Sequence, residues 1–250
     1  MLKLIECPRD AMQGWKTFIP TEQKIAYLNS LLQVGFHTLD FGSFVSPKAI
    51  PQMADTKEVL DRLNLSSTTT KLLAIVANTR GAEEALQYDA IDFLGFPLSL
   101  SETFQQRNTN ASIKDALVRV DEIQELCKRK KTRLVVYLSM GFGNPYGDTY
   151  SEEIVFEYAD LLMQKGVQII SLADTVGVAT AEGVQKITAH LVQSLPQVEI
   201  GVHLHSTAFN WKEKVEAAYN GGCRRFDGAL KGIGGCPMAN DELVGNMNTE

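Results

Sequence analysis

Two histidines separated by a single residue, His203 and His205, are the most informative local feature of the sequence. Alternate residues of a β-strand point to the same side, so two imidazoles at this spacing can reach one ion. A carboxylate such as that of Asp10 would complete a mixed nitrogen and oxygen ligand set suited to Mg²⁺, Mn²⁺ or Zn²⁺. The chain has four histidines in all, and we expect the isolated His37 and His190 to be structural or surface residues. The pair therefore predicts a metal site.

Arg9, Asp10 and Cys236 also stand where they could take part in chemistry. Arg9 and Asp10 follow a short apolar run, and the fixed cation of Arg9 would suit a carbonyl or enolate oxygen. The alternatives are an ordinary salt bridge for Arg9 and a turn or capping position for Asp10. Cys236 lies in the stretch Gly234-Gly235-Cys236-Pro237. A thiol in such a loop could serve as an acid or base, or the glycines simply form a turn.

Short apolar runs that alternate with amphipathic segments would have to position these residues. The eight runs are residues 2–7, 38–41, 72–77, 91–96, 134–139, 168–172, 199–203 and 225–229. Several are nearly continuous in Val, Ile and Leu, which is typical of strands buried on both faces of a parallel sheet.

The segments between the runs carry the spacing of helices. Three apolar stripes are Ile25, Leu28 and Leu32; Ile154, Tyr158, Leu161 and Leu162; and Trp211, Val215, Ala218 and Tyr219. Thr21 is the candidate N-cap of the first, Gly166 ends the second, and Gly221-Gly222 ends the third. We expect all three stripes to pack as helix faces on a sheet.

Eight strand–helix units in 250 residues predict the α/β class and a (β/α)8 TIM barrel, with one catalytic domain over residues 1–250. A doubly wound open sheet is the alternative, but no glycine-rich dinucleotide loop follows the first strand. Because the chain ends soon after Pro237, we expect the C-terminal end of the barrel to be truncated. Catalytic residues of such barrels lie at the C-terminal ends of strands, where Asp40, Ser43 and Asp174 also fall.

Composition narrows the classes of partner. A net charge of −6 argues against a nucleic-acid binder, although it permits a local basic pocket for an anionic ligand. No apolar run approaches the roughly 20 residues that span a bilayer, and no signal peptide is recognisable, so we expect a cytoplasmic protein without membrane contact. The four cysteines form no CxxC pair; Cys7, Cys127 and Cys223 are expected to pack as small apolar residues.

Several longer motifs carry a family resemblance. They are ECPRDAMQ at 6–13, SFVSPKAIPQM at 43–53, SETF with RNTN at 101–110, SLADTVG at 171–177, HLH at 203–205, and GGCP at 234–237 with GN at 245–246. They run in order along essentially the whole chain. Together they resemble the hydroxymethylglutaryl-CoA lyase family, within the DRE-TIM metallolyases, and SFVSPK separates this family from the related condensing enzymes.

The resemblance implies a barrel that binds Mg²⁺ or Mn²⁺ and an acyl-CoA, assembled as a homodimer. The implied reaction is a retro-Claisen cleavage of 3-hydroxy-3-methylglutaryl-CoA to acetyl-CoA and acetoacetate. The implied metal ligands are Asp10, His203, His205 and Asn246. The implied catalytic residues are Arg9 for the enolate oxygen, His203 or Asp10 as the base, and Cys236 for proton transfer. The implied substrate-binding residues are Gln13, Asp40, Ser43 and Asp174.

Three positions depart from the family pattern. Asp40 stands where the family typically has Glu, Ser206 where it has Asp, and Asn144 where it often has Cys. These departures leave open which acyl-CoA is the substrate. The alternatives are a related lyase or condensing enzyme acting on another 3-hydroxyacyl-CoA or a 2-oxoacid, and a catalytically silent barrel that binds an acyl-CoA.

Overall fold

Eight parallel strands close into a barrel in the computed structural model, which describes residues 1–235 and 244–250. The strands are β1 (Lys3–Glu6), β2 (Thr38–Ser43), β3 (Lys71–Ile75), β4 (Ile91–Ser99), β5 (Arg133–Ser139), β6 (Ile169–Ala173), β7 (Glu199–His203) and β8 (Arg225–Gly228). Each overlaps one of the predicted apolar runs. Because β1 pairs in parallel with both β2 and β8, the sheet is closed. The predicted TIM barrel is therefore confirmed and the open sheet is excluded.

Helices follow the strands along the chain. Within the described residues they are α1 (Pro8–Gln13), α2 (Thr21–Leu32), α3 (Thr56–Asp61), α4 (Thr79–Ala85), α5 (Glu102–Thr109), α6 (Ile113–Lys130), α7 (Glu152–Gln164), α8 (Ala181–Ser194) and α9 (Trp211–Asn220). None of these helices is long and apolar enough to cross a membrane.

Two of the helix predictions need correction. Thr21 is the first residue of α2 rather than its N-cap, and its hydroxyl donates to Asp55 at 2.8 Å. The apolar stripe predicted to be the buried face of α9 is only partly buried. Its residues Trp211 and Tyr219 are 45% and 49% exposed. The side chain of Lys214 lies inside instead, at 1% exposure. Its ammonium can be buried because it is fully paired, as described below.

The interior of the barrel has an apolar half and a polar half. Leu73, Phe93, Val135, Tyr137 and Ile169 form an apolar cluster contributed by β3 to β6. On the other side, β8 contributes the buried charged side chains of Arg225 and Asp227, as described below. The main apolar core lies between the strands and the helices.

The cysteines behave as predicted where the structure describes them. Cys7, Cys127 and Cys223 are buried free thiols.

Candidate active site

A cavity of about 450 Å³ lies over the C-terminal ends of the strands. Six of the predicted site residues line it: Arg9, Asp10, Gln13, Ser43, His203 and His205. They come from the ends of β1, β2 and β7, so closure of the barrel brings them onto one face. Pro8, in the first turn of α1, helps to turn the chain directly after β1. That turn places Arg9 and Asp10 over the mouth of the barrel.

The four predicted metal ligands converge. Ligand atoms of Asp10, His203 and His205 all lie within 4.8 Å of one another. Asn246 forms an isolated bridge with His205, and its Nδ2 donates to Oδ2 of Asp10 at 2.7 Å. The Oδ1 atom of Asn246 is buried and has no hydrogen-bond partner among the described residues. Two imidazoles and a carboxylate, with an amide side chain hydrogen-bonded to that carboxylate, form a mixed nitrogen and oxygen set that fits a divalent cation.

The environment favours the ligand forms of two of these residues. Burial raises the pKa of Asp10, but Arg9 and His203 outweigh it, so the pKa lies below its ordinary value. Burial, followed by the neighbouring His203, lowers the pKa of His205 to about 4. Burial also lowers the pKa of His203, but the carboxylates of Asp227 and Asp10 outweigh it, and the pKa is raised. Asp10 and His205 are therefore deprotonated at neutral pH, as metal ligands must be.

Arg9 is held between two carboxylates at the base of the cavity. Its Nε donates to Oδ2 of Asp40 at 3.0 Å, its Nη2 to the same oxygen at 2.6 Å, and its Nη1 to Oδ1 of Asp10 at 3.0 Å. Burial alone would lower the pKa of Arg9, but Asp40 and Asp10 raise it. Asp40 is buried and paired with Arg9. Burial outweighs this pairing and raises the pKa of Asp40 to about 6. Gln13 donates to Oδ1 of Asp10 at 2.6 Å.

Asp40 and Asp174 do not line the cavity, unlike the other described residues of the predicted substrate site. Asp40 lies behind Arg9. The Asp174 carboxylate accepts from Lys214 Nζ at 2.8 Å and from the Ala179 amide at 3.0 Å, so it is directed into the protein. Its neighbours Ala173 and Thr175 line the cavity instead.

The segment before Cys236 passes directly over the predicted metal ligands Asp10 and Asn246. Gly234 adopts a φ of 102°, and a Cβ there would lie 2.9 Å from the carbonyl oxygen of Asp10 and 2.7 Å from Nδ2 of Asn246. Glycine is therefore required for this approach. Cys236 itself lies outside the described residues, and its role in proton transfer stays a prediction.

Sequence reasoning missed four residues at or near the site. Tyr137 and Arg107 line the cavity, Lys214 supports it, and Asp227 lies behind His203. Arg107 belongs to RNTN, one of the motifs that carry the family resemblance, so that motif could have identified it as a site residue. The others pair with residues distant in the chain, and no local pattern marks them.

A departure from the family pattern, Asn144, has a structural explanation. Its Oδ1 accepts from the amides of Tyr146 and Asp148, and its Nδ2 donates to the Asp148 carbonyl. The Asp148 carboxylate in turn accepts from the amide of Thr103 at 2.9 Å, at the start of α5. Asn144 therefore shapes the turn that supports α5, and it does not line the cavity.

A family model described as HMGL-like matches residues 3–250, almost the whole chain. The chain belongs to the HMGL-like family. The resemblance read from the motifs is thus confirmed, and this HMGL-like chain is a carbon–carbon lyase.

Individual relatives agree with the family. The chain is 33% identical over its full length to the 3-hydroxy-3-isohexenylglutaryl-CoA/hydroxymethylglutaryl-CoA lyase of Pseudomonas aeruginosa, covering 82% of that protein. It is 31% identical over its full length to the cytoplasmic 3-hydroxy-3-methylglutaryl-CoA lyase of Rattus norvegicus, covering 72% of it. A solved HMG-CoA lyase from Acinetobacter baumannii, in complex with coenzyme A and 3-methylmalate, matches with a TM-score of 0.92 and 34% identity. That match covers 100% of this chain and 81% of the other.

Proposed function

We propose that the protein cleaves 3-hydroxy-3-methylglutaryl-CoA to acetyl-CoA and acetoacetate with the help of a bound divalent cation, Mg²⁺ or Mn²⁺. The observation that carries the proposal is the convergence of Asp10, His203 and His205 in one cavity, with the Asn246 amide hydrogen-bonded to Asp10 and its Oδ1 buried without a partner among the described residues. Arg9 is buried beside them. Lyases named for this substrate among the relatives support the choice of reaction.

The residues of the site can take the roles that a retro-Claisen cleavage requires. Asp10, His203, His205 and Asn246 would hold the cation, which when bound supplies Lewis acidity that lowers the pKa of the substrate hydroxyl. His203 or Asp10 accepts the hydroxyl proton. The bond between the carbinol carbon and the methylene carbon next to the thioester then breaks, and the carbinol carbon becomes the ketone carbon of acetoacetate.

The electrons of the broken bond pass to the acetyl-CoA enolate. Arg9 would donate hydrogen bonds to the enolate oxygen, a role that its fixed, preorganised cation suits. Cys236 would return a proton to the enolate carbon and complete acetyl-CoA. The carboxylates on either side of Arg9 fix the guanidinium at the base of the cavity before substrate binds.

The remainder of the cavity suits an acyl-CoA. Ile50, Ile75, Pro97 and Phe104 supply an apolar wall, and Arg107 supplies a cation. The complex of the Acinetobacter baumannii lyase with coenzyme A supports this assignment. The homodimer expected from the resemblance stays a prediction, which light scattering of the purified protein would check.

A lyase acting on a related 3-hydroxyacyl-CoA is the second candidate. The name of the Pseudomonas aeruginosa relative includes 3-hydroxy-3-isohexenylglutaryl-CoA, a substrate with a longer apolar branch. The apolar wall of the cavity is compatible with such a branch.

The test is a coupled assay of acetoacetate release from 3-hydroxy-3-methylglutaryl-CoA, with Mn²⁺ or Mg²⁺ added and then removed by a chelator. We expect release that stops on chelation and returns with metal. His205→Ala should lose it, and His190→Ala should retain it, because His190 only stacks on Phe156 at the surface. Metal binding without release would contradict the proposed substrate. Release from 3-hydroxy-3-isohexenylglutaryl-CoA alone would then support the second candidate.

A further inference from the structure

A buried carboxylate, that of Asp227, lies behind the metal-ligand residue His203. The two residues face each other in register on β7 and β8. Oδ2 of Asp227 is 3.5 Å from Nδ1 of His203, and Asp227 is 1% exposed. Asp227 does not line the cavity, so it lies outside the space for substrate.

Within the described part of the chain, neither group has a hydrogen-bond partner. Both carboxylate oxygens of Asp227 and the Nδ1 atom of His203 are buried without a hydrogen bond to any described residue. A buried carboxylate without donors is strongly unfavourable, as is a buried ring nitrogen without a partner. The imidazole Nδ1 of His203, 3.5 Å from the carboxylate, is close enough to supply the missing donor. A small rotation of either side chain would bring the present distance into hydrogen-bonding range.

A fixed cation on the same strand balances the charge of Asp227. Arg225 is 1% exposed, and although burial alone lowers its pKa, the Asp227 carboxylate raises it. Glycine at position 201 makes room for this side chain, because a Cβ there would lie 2.9 Å from Cδ of Arg225. On its other side, Arg225 approaches Oε1 of Glu199 at 3.6 Å. Asp227 therefore does not need an additional cation for charge balance.

We propose that Asp227 is a positioning residue that accepts the Nδ1–H of His203 and thereby presents the Nε2 lone pair to the metal site. A carboxylate behind a ligand histidine fixes both the tautomer and the ring orientation. The inference rests on the metal site of the proposed function.

Cys7 provides the competing arrangement. Its Sγ, a ring nitrogen of His203 and an oxygen of Asp227 lie within 4.8 Å of one another and could hold a second ion. An ion there would bind Nδ1 in place of the proton. The two arrangements differ in the number of ions bound per chain.

The first measurement is the Mn²⁺ affinity and stoichiometry of the whole protein by titration calorimetry. We expect one ion per wild-type chain and an affinity about 10- to 100-fold weaker in Asp227→Asn. Ser171→Ala is the matched control, because its buried hydroxyl in the same barrel also lacks a hydrogen-bond partner; its affinity should not change. An unchanged affinity in folded Asp227→Asn would overturn the proposal. A second ion that is lost in Cys7→Ser would also overturn it.

The second measurement needs no variant of Asp227. Nitrogen chemical shifts of ¹⁵N-histidine in the metal-loaded wild-type protein report which ring nitrogen of His203 carries the proton, with the signal assigned by His203→Gln. We expect the proton on Nδ1, whereas a proton on Nε2 would overturn the proposal. Both measurements are independent of turnover. A protein that binds Mn²⁺ but releases no acetoacetate would contradict the proposed reaction but not the role of Asp227. A wild-type protein that binds no Mn²⁺ would overturn both.

Discussion

Arg9, at the base of the cavity, and Asp40, behind it, form a buried ion pair in which each group shifts the pKa of the other. Burial raises the pKa of Asp40 from its ordinary 3.8 to about 6 although Arg9 favours the ionised form. The family typically has Glu at this position, and the shorter Asp still reaches the guanidinium with both oxygens, at 3.2 and 3.0 Å from Nε. The departure therefore preserves the ion pair.

The raised pKa of Asp40 predicts an acidic limb in the activity. As pH falls through about 6, Asp40 takes up a proton and its attraction for Arg9 weakens. The unfolded chain takes up the same proton only near 3.8, so through this group the fold gains stability as pH falls. We therefore expect turnover to fall below about pH 6 while circular dichroism shows an intact fold.

Asp40→Asn mimics the protonated carboxyl, and it distinguishes the titration of Asp40 from that of other groups. Its turnover at pH 7 should match the wild-type turnover at pH 5, and its acidic limb near pH 6 should be absent. Saturating Mn²⁺ throughout limits competition from protons at His203 and His205. Wild-type turnover and an unchanged limb in Asp40→Asn would show that another group titrates.

At the scale of elements, Lys214 joins α9 to the ends of two strands. Its Nζ donates to Asp174 at 2.8 Å after β6, and to the carbonyl oxygen of His205 at 2.9 Å after β7. The side chain therefore fixes the backbone of a predicted metal ligand. It also accounts for the inward direction of the Asp174 carboxylate.

Lys214→Met is predicted to weaken both the fold and the metal site. Removing one partner of a buried ion pair costs about 3–5 kcal/mol, and the His205 carbonyl loses its donor. We expect a lower free energy of unfolding in urea and weaker Mn²⁺ binding. Lys24→Met is the matched control, since Lys24 is equally buried and pairs with Asp55 at 2.7 Å without contacting a metal ligand. It should lose stability alone; equal loss of Mn²⁺ affinity in both variants would contradict the anchoring role.

Sequence patterns predicted the elements better than the contacts between them. The eight strands were visible because each is a short apolar run. Three of the proposed metal ligands, Asp10, His203 and His205, were visible because HLH and PRD are compact motifs. Lys214 was hidden because a lysine inside an apolar stripe reads as exposed, while its partner Asp174 is 40 residues away. Asp227 was hidden for a different reason. Its role depends on the register of β7 against β8, which no single run encodes.

At the scale of the whole molecule, closure of the barrel assembles the site. Asn246 and Asp10 are 236 residues apart in the chain and are joined by a hydrogen bond, next to the junction of β1 and β8. The interior beneath them is apolar on one side and carries Arg225, Asp227 and Glu199 on the other. Larger side chains are not easily accommodated in this polar half, because the side chain of Arg225 fills the space that glycine leaves at position 201.

Gly201→Ala tests that packing across the barrel. A Cβ at position 201 would lie 2.9, 3.0 and 3.3 Å from Cδ, Cγ and Cβ of Arg225, and overpacking of this kind typically costs about 1–3 kcal/mol. Gly14→Ala is the control, because a Cβ there meets nothing within 4 Å. Without a clash, Gly→Ala usually stabilises by about 0.4–1 kcal/mol through the unfolded chain. Urea denaturation should therefore move the two variants in opposite directions, and a Gly201→Ala protein as stable as wild type would show that Arg225 can shift at no cost.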